Sequence, residues 1–155
     1  MQQNKSSNQT LLLQEITNVF HQIPFNNMLG LTLDAIEDDH IVASFKMKKE
    51  LVGNFMHGIL HGGVISSVLD VTGGVAAMIA TSAKHPDQTL TELTTILGKT
   101  STINLHVNYL RPGKGELFIA KAWVQHSGNK ITFTRMEMQN ESHLIATATG
   151  AYKIG

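Results

Sequence analysis

The chain has 155 residues, of which 42% are hydrophobic and 15% charged, with 12 basic and 12 acidic side chains and no cysteine. That length fits one domain with a full core; the zero net charge argues against a nucleic-acid binder, which carries a basic excess, and the missing cysteines exclude a disulfide framework, a thiolate metal site and a Cys nucleophile. The charged fraction is well under the roughly 25% of an average soluble protein, which argues that part of the surface is covered by another subunit.

Residues 1–9, rich in Gln, Asn and Ser, read as a disordered tail, leaving 10–155 as a single domain. Leu11-Leu12-Leu13 is too short for a signal-peptide core. Thr10 is placed to cap a helix to about Gln22, with Leu12, Leu13, Ile16, Val19 and Phe20 on one side, and Pro24 ends it. A short strand pattern follows at Leu31, Leu33 and Ala35, then a turn at Asp38-Asp39. His40 to Met47 alternates, with Ile41, Ala43, Phe45 and Met47 on one face. Lys48 to Leu60 reads as a loop.

Gly62 to Ala83 is apolar nearly all round and long enough to cross a bilayer. Asp70 in mid-span and four glycines argue instead for a buried helix of a soluble core. The expectation is a cytoplasmic protein without membrane insertion. A polar connector around Pro86 follows, with a short helix at Leu90 to Leu97. Four strand patterns close the chain, at about 100–110, 116–126, 130–139 and 143–152, joined by turns short enough for hairpins. Ala120 and Ala122 share one strand face, and Ala146, Ala148 and Gly150 another, so a helix can lie close against them. The pattern predicts an α+β domain in which a curved antiparallel sheet of about six strands wraps one long buried helix.

The residues that carry chemistry cluster at Asn54-Phe55-Met56-His57-Gly58-Ile59-Leu60-His61-Gly62-Gly63, followed by Asp70 on the helix. The first N–H groups of a helix lack internal partners and sit at the positive end of its dipole. Glycines there let a carbonyl oxygen approach closely while it gains negative charge. A carboxylate on the same helix can activate water or attack directly. Two structural readings compete: the glycines as a tight turn before a helix, and Asp70 as a hydrogen-bonding group of the core.

His61-Gly62-Gly63, Leu69-Asp70 and Tyr109-Leu110-Arg111-Pro112 resemble the hotdog-fold thioesterases of the PaaI and 4-hydroxybenzoyl-CoA thioesterase superfamily, from about Pro24 to Ile154. Val52-Gly53-Asn54, Ile59 to Val64, Leu69-Asp70-Val71, Tyr109 to Gly113 and Gly128-Asn129-Lys130 further resemble its bacterial YigI-type medium- and long-chain acyl-CoA thioesterases. The resemblance implies a hotdog fold and hydrolysis of medium- or long-chain acyl-CoA to free fatty acid and coenzyme A. Asp70 would be general base or nucleophile, and the N–H of Gly63, or of Gly62, would polarise the thioester carbonyl. Asn54 matches a loop Asn that helps bind thioester or water. Thr102 stands where some relatives carry a Ser that orients the water. The resemblance also implies a homodimer, with a dimer of dimers beyond it. Each site would take Asp from one subunit and the glycine N–H from the other. Coenzyme A is part of the substrate, and no cofactor is implied.

Other features divide between two readings. His57 and His61 have the spacing of a helical zinc pair, but no Glu lies between them and the segment reads as a loop, so no metal site is expected. His61 instead suits a hydrogen bond at the helix start, beside the substrate. Arg111, Lys114 and Lys130 lie in turns, where they either meet coenzyme A phosphates or are simply solvated. Thr102, Asn104, His106 and Asn108 alternate and fall on one strand face. Met28, Met56 and Met78 either line an adaptable acyl tunnel or fill core space. Two further functions compete: a non-catalytic acyl-CoA-binding module, for which a chain of 155 residues leaves no room for an effector domain, and a dehydratase or hydratase acting on an acyl carrier substrate, whose proline-bearing His loop is missing between Pro24 and Pro86. A substrate with an aromatic acyl group is disfavoured by an aromatic content of 6%.

Overall fold

The computed structural model describes residues 2–37, 39–85 and 88–154. Asp38 of the expected turn and Pro86 of the expected connector lie outside them. Helix α1 (Gln2–Gln22) already has helical backbone over the stretch read as a disordered tail, so Thr10 is not its first residue. Pro24 stops that helix and opens another, α2 (Pro24–Leu29), because its fixed φ and missing N–H suit a first turn. Gly30 closes α2 in the left-handed conformation, at φ 70°.

Strands β1 (Thr32–Ile36) and β2 (Ile41–Lys46) form a hairpin, with Ile41, Ala43 and Phe45 buried as the alternation predicts. The stretch read as a loop contains a small hairpin, β3 (Val52–Asn54) with β4 (Ile59–Leu60). Next come the central helix α3 (Gly62–Ala83) and a short helix α4 (Leu90–Leu97). Strands β5 (Ser101–Tyr109), β6 (Leu117–Ser127), β7 (Ile131–Gln139) and β8 (Leu144–Lys153) complete the chain. The main sheet has six antiparallel strands in the order β1-β2-β6-β7-β8-β5.

Register explains how the helix seats. Across three strands the inward rows read Ala120, Met138, Ala146 and Ala122, Met136, Ala148. Alanines flank a methionine in each row, leaving a shallow surface on which α3 lies through Val68, Leu69, Thr72, Val75 and Ala76, all buried. Gly73 is required there: a Cβ would stand 2.4 Å from Tyr152 Oη and 2.9 Å from Met136 Sδ. By length and composition alone α3 would suffice to cross a membrane; here 44% of its most apolar stretch is buried inside the protein.

One predicted face is wrong, and the reason is local. A bulge between Thr102 and Asn104 shifts the pairing of β5 with β8: Thr102 opposes Tyr152, whereas Asn104 opposes Ala151. Thr102 therefore turns inward, away from the outer row Asn104, His106 and Asn108. A bulge inserts one residue and reverses the alternation beyond it.

A carboxylate at the mouth of an apolar cavity

Asp70 is half-buried on α3, one turn before Gly74. Thr102 Oγ1 donates to its carboxylate, 2.9 Å from Oδ1 and 3.2 Å from Oδ2. The bulge in β5 makes this contact, since a regular strand would point the hydroxyl out of the sheet. The backbone carbonyl of Asp70 accepts from Tyr152 Oη at 3.0 Å. Burial and the neighbouring Asp70 charge push the Tyr152 phenol far above its usual range, so it acts as a neutral donor. It fixes the helix backbone and leaves the carboxylate to Thr102. Tyr152 lies on the same inward row as Ala146, Ala148 and Gly150, so extending that row by one position reveals it.

The helix start is held from several sides. His61 N donates to Leu51 O and Leu60 N to Gly113 O, both at 2.9 Å. His61 is the N-cap: its Nδ1 accepts from Gly63 N at 2.9 Å. Gly63 N–H, expected to face substrate, is thereby committed. Gly62 N–H has no partner among the described residues. Tyr109 Oη donates to Gly62 O at 3.2 Å and its ring lies over Gly62, where a Cβ would sit 3.4 Å away. Gly53 packs against His61, with a built Cβ only 2.5 Å from its Cα. The next residue, Asn54, spends Oδ1 on Met56 N at 3.1 Å, shaping the turn that carries His57. His57 and His61 therefore sit in a turn and at a cap, and no group of three His, Cys, Asp or Glu side chains clusters among the described residues.

The structure does not bring the two basic substrate candidates together. Arg111 Nη1 donates to Leu144 O at 3.0 Å, beyond the Tyr109 end of β5. Lys130 is exposed in the β6–β7 turn, beyond the Ser101 end, and its carbonyl accepts from Ile154 N.

Beside Asp70 opens a cavity of about 300 Å³. Its walls are the apolar side of α1 (Ile16, Val19, Phe20), α3 from Asp70 to Met78, α4 and the start of β5. Asp70 and Thr102 are on its lining. Of the three methionines suggested for an acyl tunnel, only Met78 faces this space; Met28 and Met56 are 58% and 77% exposed.

A six-stranded antiparallel sheet packed on one long helix is the hotdog-like fold of thioesterases. The chain belongs to the thioesterase superfamily, whose family model matches residues 57–146, and it is a thioester hydrolase. It is 42% identical over 138 residues, 88% of each chain, to the medium/long-chain acyl-CoA thioesterase YigI of Escherichia coli (strain K12). It is also similar to a Shewanella oneidensis protein related to the thioesterase superfamily, with TM-score 0.91 and 40% identity over 95% of this chain and 97% of that one. A thioesterase family protein from Silicibacter pomeroyi shares the fold, with TM-score 0.71 at 23% identity over 92% and 97% of the two chains.

Proposed function

We propose that the protein hydrolyses acyl-CoA thioesters with medium or long aliphatic chains to free acid and coenzyme A. The observation that carries this reading is the Asp70–Thr102 pair at the rim of an apolar cavity of about 300 Å³. Such a cavity suits an aliphatic chain, and the carboxylate at its mouth suits the reacting carbonyl. The similarity to YigI supports the same substrate class.

In the proposed reaction the thioester oxygen accepts from Gly62 N–H, where the helix dipole stabilises the developing negative charge. Asp70 takes a proton from water, the resulting hydroxide adds to the carbonyl carbon, and collapse breaks the C–S bond. The departing thiolate receives the proton from Asp70. In the alternative course the carboxylate itself attacks, and water opens the anhydride. Thr102 keeps the carboxylate facing the carbonyl in either case. Asn54, on the hairpin beside the helix start, contacts the thioester or the water. Coenzyme A is the leaving group, and its phosphates meet Arg111 and Lys130.

Geometry supports a site shared by two subunits. Gly62 and Asp70 are about 12 Å apart along the helix axis. Direct attack spans at most about 7 Å from carboxylate to N–H, from an approach of ~3.2 Å, a C=O of ~1.2 Å and a hydrogen bond of ~2.9 Å. A relay through one water lengthens that by only about 3 Å. Strand β5 is an exposed sheet edge of nine residues, and such edges are normally covered. Pairing β5 with itself about a two-fold axis sets the Tyr109 end of one copy beside the Ser101 end of the other. That brings Gly62 of one subunit toward Asp70 of its partner, and Arg111 of one toward Lys130 of the other. The homodimer is the catalytic unit in this reading, with a dimer of dimers as a further assembly.

The test is free-thiol release from a panel running from acetyl- to palmitoyl-CoA, with benzoyl- and phenylacetyl-CoA alongside. Turnover should peak among the aliphatic chains. Asp70→Asn should lower kcat by about 100- to 10,000-fold, the usual contribution of a positioned acid–base group, with substrate binding retained. Binding without turnover by the wild type would make the protein a binding module, and turnover surviving in Asp70→Asn would remove Asp70 from the chemistry.

A further inference from the structure

Resting on the thioesterase reading, we infer that Gly74 and Met78 gauge the acyl chain: Gly74 leaves the cavity open past the first helical turn beyond Asp70, and Met78 ends it near ten carbons. Asp70, Gly74 and Met78 recur at intervals of four residues, so they stand one above another on the side of α3 that lines the cavity. The helix carries Gly73 and Gly74 in succession, and the two are not equivalent. At Gly73 a Cβ would overlap Tyr152 Oη, so close packing requires glycine. At Gly74 the nearest atom to a built Cβ is Tyr152 Cε1 at 3.6 Å, an ordinary contact. Nothing in the packing demands glycine there, and glycine inside a helix is less favourable than alanine. What the missing side chain leaves is space in the cavity, in line with the carboxylate.

The helix rise sets the length. Asp70 to Met78 is about 12 Å along the axis, and an extended chain advances about 1.25 Å per methylene, given C–C bonds near 1.5 Å; the span takes about ten carbons. Gly74 stands half-way, at about the fifth or sixth carbon by the same rise. The walls along this line are apolar, supplied by Val71, Val75, Val19 and Phe20. Each added methylene should therefore raise affinity about fourfold until Met78 is reached, the gain of burying one CH₂.

The experiment compares kcat/KM from butyryl- to myristoyl-CoA for wild type, Gly74→Leu and Met78→Ala, with circular dichroism and thermal melts to confirm folding. Wild type should rise to about ten carbons and level off. Gly74→Leu should keep butyryl-CoA within about threefold and lose tenfold or more on decanoyl-CoA. Met78→Ala, which adds no atoms and so keeps the test open if Gly74→Leu fails to fold, should shift the plateau about two carbons longer. Equal loss at every length in Gly74→Leu, or an unmoved plateau in Met78→Ala, overturns the gauge. If wild type releases no thiol at any length, the thioesterase reading fails on its own. The gauge is then decided by calorimetry with free fatty acids: affinity levelling near ten carbons supports it, and affinity independent of length overturns it.

Discussion

Replacing Thr102 by valine isolates one atom of the site. The two side chains have the same shape, and β-branched residues suit a strand, so the bulge and the cavity wall persist. What disappears is the donor to Asp70, now 2.9 and 3.2 Å from the two carboxylate oxygens. A hydrogen bond to a charged acceptor contributes about 1.5–3 kcal/mol, and Thr102 is exposed, which places this one at the low end. At 1.36 kcal/mol per decade, about 1.5 kcal/mol corresponds to roughly a tenfold fall in kcat. KM should change little, because the valine keeps the lining volume. The assay is steady-state thiol release with decanoyl-CoA, and a melt checks that the variant is still folded at the assay temperature. Thr102→Ser should restore most of the loss, since only the hydroxyl orients the carboxylate. A valine variant with kcat within twofold of wild type, or a serine variant as slow as the valine one, would refute the role.

Four further outcomes are expected. Tyr152→Phe should cost about 1 kcal/mol in urea unfolding, the usual value of a hydrogen bond, because Asp70 O loses its donor. Folding raises the Tyr152 pKa above its ordinary 10.0, so its contribution is complete below pH 10 and declines above it; the wild type should lose about 1.4 kcal/mol per pH unit there, a slope absent from Tyr152→Phe. Gly73→Ala should destabilise by about 1–3 kcal/mol through overpacking against Tyr152, while Gly74→Ala should be neutral or gain up to about 1 kcal/mol, both measured by denaturant midpoint. Glu141 is held below its usual 4.5 by its own backbone N–H and those of Leu117 and Glu116; a depressed carboxyl stabilises above pH 4.5 and loses that effect as pH falls, so the melting difference between wild type and Glu141→Gln should shrink in acid.

How much of this was legible without coordinates differs element by element. The strands from β5 onward and the helix α3 follow their sequence patterns within a residue or so, because alternation and all-round apolarity are local properties of the chain. The β3–β4 hairpin was missed, since Asn54 and Ile59 are too few and too mixed to alternate. The start of α1 was missed because Gln, Asn and Ser carry no periodic signal. For the candidate site, Asp70 and the paired glycines stand out in the sequence, and which glycine N–H lacks a partner does not. Gly63 N–H is taken by His61 Nδ1, a contact set by one rotamer at the cap. Thr102 was named only through resemblance, and the period-two rule placed it on the wrong face; a single bulged residue corrects that. The cavity was the least legible feature, because its walls come from α1, α3, α4 and β5, segments separated by most of the chain. The same distinction holds for the two glycines of α3: adjacent and chemically identical, one is fixed by Tyr152 and the other by empty space, and only the fold tells them apart.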